Sequence, residues 1–468
     1  MISEFDLPVP FRSIRHLSKL LSRGEVTSTA LTSMYLERLE KQGRSFNAVA
    51  QMLPEYALQA ANDADRARNT GGDRSTLTGI PFGAKDLFAA VGTHTRWGSP
   101  AHDDVGWNFD AAAVAALKSA GAILAAKLAM VELAGGGSYS GAGASSTGPC
   151  LNPWNREHWA GGSSSGSGAA VAAGAVACAL GSETWGSVTV PAAFCGVTGL
   201  RPTYGRISRY GAMALSWSMD KVGILARTAD DCGILLSALA GADVRDPSCT
   251  GPSFNWVPGH FKAEDLRVGI LAHDMTRTPE VEQSFMAAID TLVLCGLHPV
   301  PAELNLTAPV DSVASFIIMA EGSAAHREFI LSNKLTQLAD SVQQAGLLAG
   351  LAITTSDYIR AQQIRTVAVN QLNQIWKDFD LLVAPTLLTE ALPVDRPFVD
   401  NETPWGGNGG PGNLAGWPSI SLPMGFGPNA LPLGLELIAP PFAEEALLHV
   451  AHAYQLKTDW HLRLPLCV

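Results

Sequence analysis

Short apolar runs alternate with segments of helical periodicity along almost the whole chain, and that alternation limits the fold more than any other feature. Leu31, Met34, Tyr35, Leu36 and Leu39 recur at helical spacing over residues 27–42, behind a Ser/Thr cap region. Further helices are predicted over 54–68, 111–120, 169–180, 228–239, 279–294, 354–376 and 444–455. Between them, apolar runs at 80–87, 122–128, 197–200, 222–225, 267–271, 381–385, 419–423 and 433–438 read as strands. Strands interleaved with helices in this way predict an α/β fold with a mixed sheet covered on both faces.

Composition narrows the function. The chain has 468 residues, 47% of them hydrophobic and 16% charged, which argues against disorder and allows a large core. The formal charge of -11 comes with no basic block, so no nucleic-acid surface is expected. Residues 1–20 show no apolar signal core, and the weakly polar run 169–180 is too short to span a bilayer. The cytoplasm is the expected location. Seven cysteines (150, 178, 195, 232, 249, 295 and 467) stand at wide spacings with no CxxC, and no HExxH occurs. They read as reduced, buried thiols, with no structural metal.

Loops mark the candidate site. Residues 135–159 are rich in Gly, Ser, Pro and Asn and read as an ordered loop over a site. Residues 161–168 contain only Gly and Ser, 181–187 form another turn, and 406–412 read as a second flexible loop. Residues 250–262 are the best candidate for a junction between two subregions.

Three serine patterns compete. Gly162-Ser163-Ser164-Ser165-Gly166 matches the G-x-S-x-G elbow, but the polar, Pro-broken NPWNREHWAG precedes it where the elbow needs a core strand. Ser218-Met219-Asp220-Lys221 matches S-x-x-K without the S-D-N and K-T-G that should accompany it. The third is a set: GIPFGAKD (79–86), AGGSSSGSGAAVAAG (160–174) and GSETWGSVTVPAAFCGVTGLRPTYG (181–205). Together with NPWN (152–155), SRYG (208–211), NLAGWP (413–418) and LPLGL (431–435), in order along nearly the whole chain, it resembles the amidase signature family.

On residue type alone, Lys85 reads as a buried lysine paired with Asp86 or another carboxylate. The resemblance implies a different role. It makes Ser187 the nucleophile, Ser163 a bridging serine that follows a cis peptide bond, and Lys85 the base. Burial in a dry pocket lowers a lysine's pKa and so suits it to that task. The resemblance also implies an oxyanion hole of backbone N–H groups from Thr184, Trp185, Gly186 and Ser187, with Ser164 and Ser182 hydrogen-bonding the relay from behind. It implies one domain over 1–468: a helical part (1–75), a catalytic core (76–250) and a C-terminal part (263–468) that completes the sheet and substrate pocket.

The chain departs from the family in places. Trp185 stands where a second Gly is usual, and Val188-Thr189 replaces Ile-Arg, removing an arginine near the site. Ser165 replaces a common Gly, and Glu183 a common Asp. The charges with which amidotransferase subunits hold glutamine are absent from 343–346 and 406–410. The expected activity is therefore hydrolysis of a small, weakly polar aryl or alkyl amide, with Trp154, Trp185, Trp405 and Trp417 as candidate lining of an apolar pocket. The alternatives are a glutaminase subunit of a tRNA-dependent amidotransferase, an allophanate or urea-derivative hydrolase, and an inactive binding scaffold. No cofactor or metal is implied. The expected partner is a small-molecule amide, with a homodimer left open and neither nucleic acid nor membrane expected.

Overall fold

The computed structural model describes residues 2–70, 75–101, 105–259, 262–271, 275, 278–398 and 409–466. Thirteen strands run in chain order: β1 Val49–Met52, β2 Pro81–Lys85, β3 His94–Thr95, β4 Val105–Gly106, β5 Ile123–Leu128, β6 Cys178–Glu183, β7 Thr198–Arg201, β8 Lys221–Ala226, β9 Arg267–Leu271, β10 His298–Ala302, β11 Leu381–Pro385, β12 Ser419–Phe426 and β13 Pro432–Ile438. Except for the small β3–β4 ribbon, they form one 11-stranded sheet in the order β1-β5-β2-β6-β8-β7-β12-β13-β11-β9-β10. The pairs β2–β5, β2–β6, β9–β11 and β9–β10 are parallel and the rest antiparallel, so the sheet is mixed. Its central strands carry no solvated face: every residue of β2, β5, β7, β8, β11 and β13 is buried. This is why they appear in the sequence as continuous apolar runs rather than alternating ones.

The helix Ser165–Ala172 is buried along its whole length. Its composition, SGSGAAVA, follows from that position. A Cβ on Gly166 would overlap the carbonyl of Ala48 and the backbone of Ala129, and one on Gly168 would press on Pro191. The predicted helix over 169–180 is corrected here. It ends at Ala172, Gly174 takes a positive φ of 60°, and the chain turns into β6 at Cys178. An unpatterned Ala/Gly run does not distinguish a buried helix from a buried strand; ladder bonds to β2 and β8 settle it for Cys178–Leu180.

Other expected elements form within a residue or a few of their predicted ends, among them the helices Ser28–Arg38, Pro54–Asn69, Ala229–Leu239 and Pro279–Leu294. The helix predicted over 354–376 is α-helical over Thr355–Leu372 and tightens to a 3-10 turn over Asn373–Lys377. Residues 406–408 of the predicted flexible loop, and Trp405, lie outside the described residues, while Gly409–Ala415 is a short helix. The expected junction is pinned rather than free. Trp256 is buried, its indole N–H donates to Asp230 at 2.8 Å, and its backbone N–H donates to Ser237 at 2.8 Å. Residues 260 and 261 are outside the described set. The helices Ile14–Ser22, Val310–Ala325 and Ser341–Gly350 and the strands β1 and β10 were not predicted. Cys150, Cys178, Cys195, Cys232, Cys249 and Cys295 are unpaired and all but Cys295 are buried; Cys467 is outside the described residues. Among the described residues no helix is long and apolar enough to cross a membrane.

Candidate active site

Lys85 is the last residue of β2, placed between β5 and β6 and fully buried. Its Nζ donates to Ser163 Oγ at 2.8 Å and to Ser182 Oγ at 2.9 Å, with the Ser182 carbonyl at 3.5 Å. Its sequence neighbour Asp86 instead accepts from Lys127 at 3.0 Å. Burial without a paired carboxylate brings Lys85 down to about 7, against the weaker opposing pull of Asp220 and Glu183. A lysine in this state is substantially neutral near pH 7 and carries a lone pair.

The Gly/Ser segment supplies the hydroxyl opposite. The Gly162–Ser163 peptide is cis, and the Ser163 carbonyl accepts from Val131 N–H at 3.1 Å. Ser164 and Ser182 hold each other. Ser164 Oγ donates to the Ser182 carbonyl at 3.2 Å and accepts from the Ser182 N–H at 3.3 Å. The Ser164 N–H donates to the Ser187 carbonyl at 3.2 Å, which ties the Gly/Ser segment to the turn after β6. No hydrogen bond joins the Ser163 and Ser187 hydroxyls; Ser187 faces a cavity of about 610 Å³.

That turn carries unspent donors. Among the described residues the N–H groups of Trp185, Gly186 and Ser187 have no acceptor. Neither Trp185 nor Gly186 has positive φ, so the turn tolerates a side chain at 185 where the family pattern has Gly. Buried polar contacts fix its shape. Glu183 is buried and accepts from the N–H groups of Val188 at 2.8 Å and Thr189 at 3.0 Å. Burial alone would push the Glu183 carboxyl up, but Arg201, 2.7 Å away and equally buried, holds it below its usual range. The Asn413 amide donates to the Trp185 carbonyl at 2.6 Å, and the Thr184 hydroxyl donates to Asp220 at 2.6 Å. Sequence reasoning assigned no role to Asp220, Arg201 or Asn413. Yet Arg201 and Asn413 lie inside the GLRPTYG and NLAGWP stretches on which the resemblance rests.

The competing serines separate. Ser218 Oγ accepts from Arg365 at 2.6 Å, and Lys221 bonds the Met219 carbonyl, so the S-x-x-K pair is not joined. The Trp expectation is corrected in part. Trp185 lines the cavity and packs its ring against Gly409. Trp417 is core, donating to Asn373 at 2.9 Å, and Trp154 donates to the Cys195 carbonyl at 2.8 Å; neither lines the cavity. Trp159, which was not singled out, does.

The Amidase family model matches residues 30–448. The chain belongs to the Amidase family. Among curated relatives, a subunit of the glutamyl-tRNA(Gln) amidotransferase of Roseiflexus sp. (strain RS-1) is 38% identical, covering 95% of this chain and 96% of the relative. The same subunit from Methylococcus capsulatus is 34% identical, over 97% and 98%. Among solved structures, the peptide amidase of Stenotrophomonas maltophilia superimposes on this chain with a TM-score of 0.82 at 31% identity, over 96% of this chain and 97% of that one. A chain from a vestigial protein complex linked to the origins of an s-triazine catabolic enzyme gives a TM-score of 0.86 at 27% identity, over 95% and 98%.

Proposed function

We propose that this protein hydrolyses a carbon–nitrogen bond by acyl transfer through Ser187. The observation that carries the proposal is a fully buried Lys85 whose Nζ bonds hydroxyl and carbonyl oxygens, with its pKa near 7. In this reading Ser187 Oγ attacks the amide carbon while its proton passes to Ser163, whose own proton passes to neutral Lys85. The oxyanion receives backbone N–H groups of the Thr184–Ser187 turn. Lys85 then returns the proton through Ser163 to the departing nitrogen, the C–N bond breaks, and an ester on Ser187 remains. Water adds to that ester by the same relay and releases the acid. The Ser163–Ser187 hydroxyl contact has to tighten when substrate arrives, as contacts in free active sites commonly do.

Two substrate readings have support of different kinds. Sequence identity to the amidotransferase subunits favours a glutaminase working with a partner chain, and this is the reading the relatives back more strongly. The cavity chemistry favours a free-standing hydrolase of an aryl or alkyl amide that carries no carboxylate. Among the described residues no Lys, Arg or His lines the cavity, so a substrate carboxylate would be buried there without a partner. On that chemistry we propose the free-standing enzyme, acting in the cytoplasm. The test is ammonia or amine release from aryl amides, alkyl amides and glutamine by the wild type and by Ser187→Ala. Turnover of the simple amides that vanishes in the variant supports the proposal. Turnover of glutamine alone selects the glutaminase reading. Activity that survives in Ser187→Ala rules out this nucleophile.

A further inference from the structure

The helix Val310–Ala325 presents Asp311, Ser315, Ile318 and Met319 to the cavity that Ser187 faces. The spacing of i, i+4, i+7 and i+8 is that of one helical face. Asp311, at the solvent-exposed end of this stripe, is the charged member. Its carboxylate lies beside Gly410, where a Cβ would overlap it, and the Trp185 ring packs on the same glycine pair. Glycine at 410 therefore keeps open the space the carboxylate occupies. The second acid lining the cavity, Glu436, stands 3.9 Å from Arg201, which meets part of its charge from behind. Asp311 makes no ion pair or hydrogen bond with any described residue, and no Lys, Arg or His among those residues lines the cavity. Partial burial raises its pKa with no opposing positive charge. An acid in the first turn of a helix favours that helix, but this does not require it to face the nucleophile's cavity.

We infer that Asp311 makes the enzyme select amides that bear a cationic group, an ammonium or guanidinium, at a distance from the scissile carbonyl. This inference rests on the acyl-transfer reading of Ser187. A substrate cation would supply the missing countercharge, and the unbalanced acidity of the cavity would repel an anion. Because Asp311 is solvent-exposed, the pair is of the surface kind, worth up to about 1 kcal/mol, or about fivefold in kcat/KM.

The experiment compares three amides of similar length, 5-aminopentanamide, pentanamide and glutaramate, in the wild type, Asp311→Asn and Asp311→Glu. The wild type should prefer the ammonium amide over the neutral one, and the neutral one over the carboxylate. The kcat/KM ratio of 5-aminopentanamide to pentanamide should fall about fivefold in Asp311→Asn and recover in Asp311→Glu. Added salt should shrink the ratio in the wild type and leave it unchanged in Asp311→Asn. Wild-type turnover of pentanamide without preference for the ammonium amide overturns this inference alone, as does a ratio that Asp311→Asn does not move. Turnover of none of the three by an enzyme that hydrolyses an aryl amide or glutamine through Ser187 overturns this inference alone; failure on those substrates as well overturns the acyl-transfer reading and this inference with it.

Discussion

Two lysines on neighbouring strands of this sheet are equally buried and differently partnered. Lys85 ends β2 and Lys127 lies in β5, with Ala84 and Lys127 in register across the parallel pair. Both side chains are fully excluded from solvent. Lys127 donates to the Asp86 carboxylate at 3.0 Å and to Thr95 Oγ1 at 2.9 Å. Lys85 donates to the hydroxyls of Ser163 and Ser182. Burial lowers both pKa values, but Asp86 opposes the shift at Lys127 through charge and hydrogen bond, whereas only distant carboxylates oppose it at Lys85. Burial alone therefore makes neither a structural lysine nor a base; the partner decides. A carboxylate within reach keeps the ammonium and locks the strands, while two hydroxyls leave a lysine that can lose its proton near neutral pH.

The largest effect expected from this contrast is on catalysis. Lys85→Met should cut kcat/KM on a good amide by about 10²–10⁴, the range of a positioned general base, while the variant remains folded by circular dichroism. A variant that keeps wild-type activity would leave the two lysines without the proposed difference. On the other side of the comparison, Asp86→Ala strands the Lys127 charge in the core. It should destabilise the protein by about 3–5 kcal/mol in urea unfolding, whereas Asp86→Leu combined with Lys127→Met should recover most of that loss. A double variant no more stable than the single one would show that the pair does more than neutralise itself. The smallest change is expected from Ser182→Ala, which removes one hydroxyl from Lys85 and leaves Ser163 in place. One neutral hydrogen bond is worth about 1 kcal/mol, so kcat should fall by about tenfold or less.

Much of this contrast was legible in the chain. The apolar run ending at Lys85, the Gly/Ser segment and the turn at 181–187 stand in local sequence, because a buried strand and a close-packed turn each demand particular residues at adjacent positions. The pairing of Asp86 with Lys127 rather than Lys85 was not legible. Asp86 follows the last residue of β2, and its partner comes from another strand, β5. Asp311 reaches the cavity from a segment distant in the chain, and nothing in its local sequence marks it, whereas Trp159 ends the 135–159 loop that reads as lying over a site. The false helix over 175–180 has a simpler cause. Its Ala-rich run lacks the periodicity that would have told it from a buried strand.

The central claim is that Lys85 works as a neutral base, and the pH dependence of kcat/KM on a neutral amide tests it most directly. A folded pKa of about 7, depressed from the ordinary lysine value, means the base is protonated and inactive below that pH and free above it. The account predicts kcat/KM that falls about tenfold per pH unit below about 7 and levels off above it. A limb that instead keeps rising to about 10, where an ordinary lysine titrates, would show that Lys85 stays charged at neutral pH and would contradict the account.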